Sequence, residues 1–226
     1  MTSTPTWCLE NRGSFASIHV ILPAGTKIHC ETDAVVTFSG GVQVEGVMSG
    51  GFWGSLVRAF FGGESFFTTV VENNSFEQAG DVMLAAADPG GIELHRLSPQ
   101  QDLLLLAGAY VASDANVKIT TELQSKLQNS LLSGTGFFLL RASGRGTVAC
   151  AAYGSIHKYE LKAGETRAVD NGHLVAWTAN TPYRVGLANA RGGIVTSFKS
   201  GEGLMCHFQG PGTMYDWVCD RKFSFQ

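Results

Sequence analysis

The stretch KYELKAGETRAVDNGHLVAWTAN (residues 158–180) sets the reading of the whole chain, because two earlier stretches share its plan. An apolar run leads into an Ala-Gly pair, Ala163-Gly164, followed by a polar step and a second β-rich run. SIHVILPAGTKIHCETDAVVTFSG (residues 17–40) does the same around Ala24-Gly25, and DLLLLAGAYVASDANVKITTEL (residues 102–123) around Ala107-Gly108. Self-similarity of this kind marks a repeated structural unit and takes precedence over any local motif.

Working outward, each stretch is followed by two further shared signatures. FGGESFFTTVV, LSGTGFFLLRA and KSGEGLMCHFQ each open a strand from a glycine turn at Gly63, Gly134 or Gly201, and AGDVMLAAA, GRGTVACAA and GPGTMYDWV each repeat the device. Glycine supplies the positive φ that tight turns need, so Gly25, Gly63, Gly108, Gly134, Gly164 and Gly201 are expected as structural turns. Each unit then reads as about five short strands, the spacing of sandwiches and barrels rather than of βαβ units. The unit boundaries fall at 13–87, 88–153 and 154–219. No Pro/Ser-rich or charged linker separates them, which predicts one all-β body over 13–219 with a shared core.

Two stretches break the strand pattern. In GGFWGSLVRAFFGG the residues Trp53, Leu56, Val57, Phe60 and Phe61 recur with helical spacing, and in ITTELQSKLQNSLLSG so do Leu123, Leu127 and Leu131. One or two short helices are expected there. They would either cap an open end of the β-body or dock a partner or membrane surface, with Trp53, Leu56, Phe60, Leu123 and Leu127 as the candidate contact residues.

Composition excludes several classes. With 226 residues, 44% hydrophobic and 15% charged, the chain can bury a core and is neither disordered nor fibrous. A formal net charge of −3 without any Lys/Arg run argues against a protein built to neutralise nucleic-acid phosphates. Cys8, Cys30, Cys150, Cys206 and Cys219 are odd in number and lack a C-x-x-C pair, which predicts free thiols in a reducing compartment. The first residues, MTSTPTWCLENRGSF, lack a signal-length apolar run, and no stretch approaches the roughly 20 apolar residues that span a bilayer. A cytoplasmic location is the expectation from these residues, with no transmembrane segment.

Chemistry-bearing constellations are weighed against simpler roles. The chain has no G-x-S-x-G, no G-x-x-x-x-G-K-[ST] and no H-E-x-x-H. Of its histidines, His19, His95 and His157 fall on the strand before each unit's first turn. A three-fold convergence on a metal is conceivable there, but strand residues at a sheet surface or interface are the expected role. His29, His173 and His207 show no ligand spacing; Cys206-His207 are adjacent and point to opposite faces of a strand. Asp170-Asn171-Gly172-His173 pairs a carboxylate with an imidazole, yet Asp-Asn-Gly is also turn chemistry. Glu31-Thr32-Asp33-Ala34 and Ser113-Asp114-Ala115-Asn116 are read as its counterparts, and the recurrence favours a structural role. The glycine-rich SGTG and SGEG steps open strands, not helices, and are read as hairpin turns instead of phosphate cradles. Lys118, Lys126, Arg141, Arg145, Lys158, Lys162 and Arg167 give the second unit and its border a basic tilt among Phe137, Phe138, Tyr153 and Tyr159. Without clustering, RNA binding is not favoured.

The run SGTGFFLLRASGRGTVACAAYGSIHKYELKAGETRAVDNGHLVAW, with GESFF, GDVMLAAADPGGI and SGEGLMCHFQGPGTMY, resembles the altered inheritance of mitochondria protein 24 family over about Ser17 to Tyr215. The resemblance implies three fused β-sandwich units with a fold similar to the tryptophan RNA-binding attenuation protein, whose subunits assemble into rings. It also implies a link to mitochondrial or membrane organisation, and a mitochondrial location if the chain is eukaryotic. It carries over no catalytic residue, cofactor or metal. The expectation is therefore a non-enzymatic scaffold or assembly protein with protein partners, a homo-oligomer with the trimer preferred, and peripheral membrane contact as an option. An RNA- or small-ligand-binding ring is the alternative.

Overall fold

Short alternating segments punctuated by turns cannot bury their apolar faces alone, and here they do so by lamination. The structure, a computed structural model, describes residues 4–13, 15–47, 68–122, 139–187 and 204–218. After β1 (Thr6–Glu10), the described strands fall into three groups of six. The first holds β2 (Ser17–Leu22), β3 (Lys27–Glu31), β4 (Val35–Phe38), β5 (Val42–Val47), β6 (Thr68–Asn73) and β7 (Gly80–Ala85). The second holds β8 (Gly90–Leu97), β9 (Leu103–Leu106), β10 (Tyr110–Asp114), β11 (Val117–Glu122), β12 (Leu139–Gly144) and β13 (Gly146–Tyr153). The third holds β14 (Ser155–Leu161), β15 (Thr166–Asp170), β16 (Leu174–Thr178), β17 (Tyr183–Leu187), β18 (Leu204–Gln209) and β19 (Gly212–Val218).

Pairing follows one antiparallel scheme in every group. The sixth strand lies between the first and third (β7 with β2 and β4, β13 with β8 and β10, β19 with β14 and β16). The fifth lies between the second and fourth (β6 with β3 and β5, β12 with β9 and β11, β18 with β15 and β17). Each third strand carries a register shift at the same place, between Val35 and Thr37, Tyr110 and Ala112, and Leu174 and Ala176. These bulges align the groups residue by residue.

Groups are sewn together by pairing the second strand of one with the third strand of the next: β3 with β10, and β9 with β16. The result is four stacked sheets in the orders β1-β2-β7-β4, β5-β6-β3-β10-β13-β8, β11-β12-β9-β16-β19-β14 and β15-β18-β17. Three cores fill the gaps. Ile18, Val20, Val82, Ile28, Cys30, Ala112 and Ala149 lie between the first and second sheets. Tyr110, Val148, Leu105, Leu140, Val175 and Tyr215 lie between the second and third, and Leu104, Trp177, Met214, Val169, Cys206 and Phe208 between the third and fourth. Position in the stack explains the strand chemistry. β2 and β7, in an outer sheet, alternate buried residues with half-buried or exposed ones, whereas β16 (LVAWT), covered on both faces, is buried throughout.

Three sequence expectations need correction. Each group has six strands, not five: the first, third and sixth lie in one sheet and the second, fourth and fifth in the next. The turn before the second strand is closed by Thr26 N to Pro23 O, Gln101 N to Ser98 O and Glu165 N to Lys162 O. The counterpart of Ala24-Gly25 and Ala163-Gly164 is therefore Pro99-Gln100. Ala107-Gly108 instead lies in a 3-10 turn at Ala107–Ala109 that matches the one at Asn171–His173. Gly25 and Gly164 do adopt positive φ, 68° and 85°, as their turns require. Gly63, Gly134 and Gly201 lie outside the described residues, as do Trp53, Leu56, Phe60, Leu123 and Leu127. Of the second stretch read as helical, residues 119–122 belong to β11.

Candidate functional site

The aligned registers separate the three histidines. His19 lies opposite Met83, His95 opposite Val148 and His157 opposite Asp216. Val82, Val148 and Met214 are the matching rungs, since each pairs with the same position past the bulge. The histidines thus occupy three different rungs and do not converge. His19 Nε2 is 3.1 Å from Asp81 Oδ2 at the surface. His95 is buried, its Nδ1 2.8 Å from the Tyr215 hydroxyl, and burial followed by repulsion from Lys158 lowers its pKa to about 4. His157 is exposed. Among the described residues no three His, Cys, Asp or Glu side chains are grouped to hold a metal.

The four described thiols are free and their settings differ, while Cys219 lies outside the described residues. Burial pushes Cys30 and Cys150 up to about 12 and Cys206 to about 11, which keeps them protonated and unreactive, while Cys8 is exposed. Asp170 caps its 3-10 turn: its Oδ1 accepts from Gly172 N at 2.8 Å, with His173 Nδ1 3.7 Å away. Its structural counterpart in the second group is Leu106, not Ser113, and in the first group Glu31, so a carboxylate stands at this place in the first and third groups only.

The polar groups gather at the β15 end of the stack. Arg167 stacks over Tyr159, 3.6 Å from the ring centroid. Nearby, Asp216 has one carboxylate oxygen buried without a partner; burial raises its pKa against the opposing pull of His157, Arg167 and His173. On the other face of the same sheet lies a hollow of about 430 Å³ lined by Thr166, Ala168, Arg184, His207, Gln209 and Pro182, among others. Sequence reading named Arg167 and His207 but not Arg184 or Asp216; strand register sets Arg184 opposite His207, and the packing of two sheets sets Asp216 near Arg167. Of the remaining basic residues named from sequence, Arg141 is paired with Asp102 at 2.9 Å and Lys158 with Glu160 at 2.6 Å. Lys126 lies outside the described residues.

The stack also ends in two strands that lack the partner their counterparts have. Among the described residues, no strand pairs with β4 on the side where β10 and β16 meet the preceding group, and none pairs with β15 where β3 and β9 meet the following one. Side-chain exposure records the difference. Val36 is 59% exposed and Phe38 48%, whereas the matching Val111 and Val175 are each 1% exposed, Ser113 0% and Trp177 1%. An uncharged, proline-free VVTF strand left open in this way is a ready template for another strand.

A laminated array of antiparallel β-sandwich layers with unpaired terminal strands is thus the class of protein the fold defines. The sequence profile of the family described as Mitochondrial biogenesis AIM24 matches residues 7–215. The chain belongs to that family. An uncharacterized protein of Streptococcus pyogenes serotype M6 is 32% identical over 209 residues, covering 92% of this chain and 77% of that protein. A crystal structure of another Streptococcus pyogenes protein superposes with a TM-score of 0.73 at 27% identity, covering 95% of this chain and 94% of the other. Among the described residues no helix is long and apolar enough to cross a membrane.

Proposed function

We propose that the chain is a non-enzymatic scaffold that assembles with copies of itself and presents the resulting β-surface to protein partners. The observation that carries this reading is the contrast between Val36 and Phe38, open to solvent, and their buried counterparts within the same chain. Exposed apolar side chains on an unpaired strand favour association. A closed ring of three copies is the preferred assembly, since a head-to-tail contact leaves no open edge only when it closes. Peripheral contact with a membrane belongs to the same reading. The mitochondrial role in the family's description is said of that family, and the relatives above are bacterial.

Light scattering on purified protein tests the proposal: a mass of several chains is expected, and a single-chain mass at all concentrations overturns it. A second reading, an RNA- or small-ligand-binding ring, is favoured by the hollow bordered by Arg184 and His207. Filter binding of total RNA at low salt separates the two, because phosphate-driven binding must weaken steeply as salt rises.

A further inference from the structure

Resting on the scaffold reading, the geometry points to the specific junction by which copies join: β15 of one chain pairs antiparallel with β4 of the next. The two internal junctions supply the template. Ala112, Ser113 and Asp114 lie opposite Cys30, His29 and Ile28, and Ala176, Trp177 and Thr178 lie opposite Leu105, Leu104 and Leu103. Both use the same register relative to the bulge. Carried onto the free strands, it sets Thr37 opposite Val169, Phe38 opposite Ala168, and Ser39 opposite Arg167. Pairing so placed would join β17-β18-β15 to β4-β7-β2, the six-strand order of the interior sheets, with β1 added as a seventh strand at the edge.

Three features of the free strands fit that register. Phe38, half exposed, would stand against Ala168, the smallest side chain at its position among the three groups, where His29 and Leu104 are the counterparts. The hollow of about 430 Å³ lies on that face of Ala168, beside His207 and Arg184. A large side chain thereby meets a gap instead of a filled surface. On the opposite face Arg167 would meet Ser39, whose strand neighbour is Asp81: Ser39 N donates to Asp81 O at 3.0 Å, and Asp81 N donates to Ser39 Oγ at 2.8 Å. The short serine leaves the guanidinium room to reach the Asp81 carboxylate. The internal junctions place Ile28 and Leu103 where Arg167 stands, so the terminal junction is the charged version of the same contact. A single arginine also discourages β15 from pairing with another β15, which would oppose two positive charges.

The contact is heterologous, since one face of each copy meets a different face of the next. Cysteine pairing tests this directly. In a background with Cys8→Ser and Cys219→Ser, chains bearing Phe38→Cys are mixed with chains bearing Ala168→Cys and oxidised. Paired residues on adjacent strands lie about 4.5–5.5 Å apart at Cα, within disulfide range. A dimer-sized band is expected from the mixture and not from either variant alone; self-linking of the Phe38→Cys chains, equal to that of the mixture, overturns the proposal. In parallel, Phe38→Glu and Arg167→Glu are each expected to lower the mass by light scattering to a single chain with an unchanged far-UV spectrum. Arg167→Glu combined with Asp81→Lys is expected to restore the assembly. If the wild type is multimeric and these single variants stay multimeric, the junction is wrong while the scaffold reading stands. If the wild type is a single chain, both fall.

Discussion

At the scale of the residue, burial gives the polar groups their properties. His95 sits between the second and third sheets against Tyr215, neutral, with its pKa lowered to about 4 from 6.5. The unfolded chain takes up the proton first as pH falls, so the stabilising effect of neutral His95 is complete above about pH 6.5 and is lost progressively toward pH 4. A loss of about 3 kcal/mol across that window is the upper expectation. Urea unfolding at pH 7.5 and pH 5 should show about 2 kcal/mol of it, and His95→Gln should flatten the dependence. Trp177, 1% exposed, packs edge-on against Phe208 and Tyr183 while its indole N–H finds no acceptor. Trp177→Phe therefore gives up contact area but no hydrogen bond, and is expected to cost less than about 1.5 kcal/mol. Trp177→Ala leaves a cavity and should cost about 3–5 kcal/mol, measured by the same denaturation.

At the scale of the element, the structure depends on how one group hands over to the next. Gly90 opens β8 beside Gly154, and Gly91 N donates to Gly154 O at 2.6 Å. A Cβ at Gly90 would overlap the carbonyl oxygen of Ala152, backbone that cannot rotate away. Gly90→Ala is accordingly expected to destabilise by about 2–3 kcal/mol, seen as a lowered thermal midpoint. Gly108 has nothing near its added Cβ and no positive φ, so Gly108→Ala should be close to neutral. That contrast tests the corrected register, since the Ala-Gly pattern alone would have given Gly108 the same turn role as Gly25. The second group uses Ser-Pro-Gln-Gln at that turn, where proline fixes φ and the Gln101 to Ser98 hydrogen bond closes the loop without a glycine. Composition could not reveal the substitution, because two chemistries make the same bend.

At the scale of the whole molecule, the middle sheets each draw strands from two groups, so no group holds a complete core of its own. Unfolding should be a single transition, with tryptophan fluorescence and far-UV circular dichroism giving coincident midpoints; separate midpoints would mean that the groups melt independently. The sequence by itself determined the all-β class, the threefold recurrence of turn and strand, and the turn role of Gly25, Gly164 and Asp170, because alternation and turn chemistry are written within a few neighbouring residues. It could not order the histidines, which share a strand type but stand on different rungs, since a one-residue change of register moves a side chain to the other face. Nor could it show that β3 pairs with β10 and β9 with β16, leaving β4 and β15 open. Those pairings join residues more than sixty positions apart in the chain, and only the tertiary structure chooses among strands of nearly equal local chemistry.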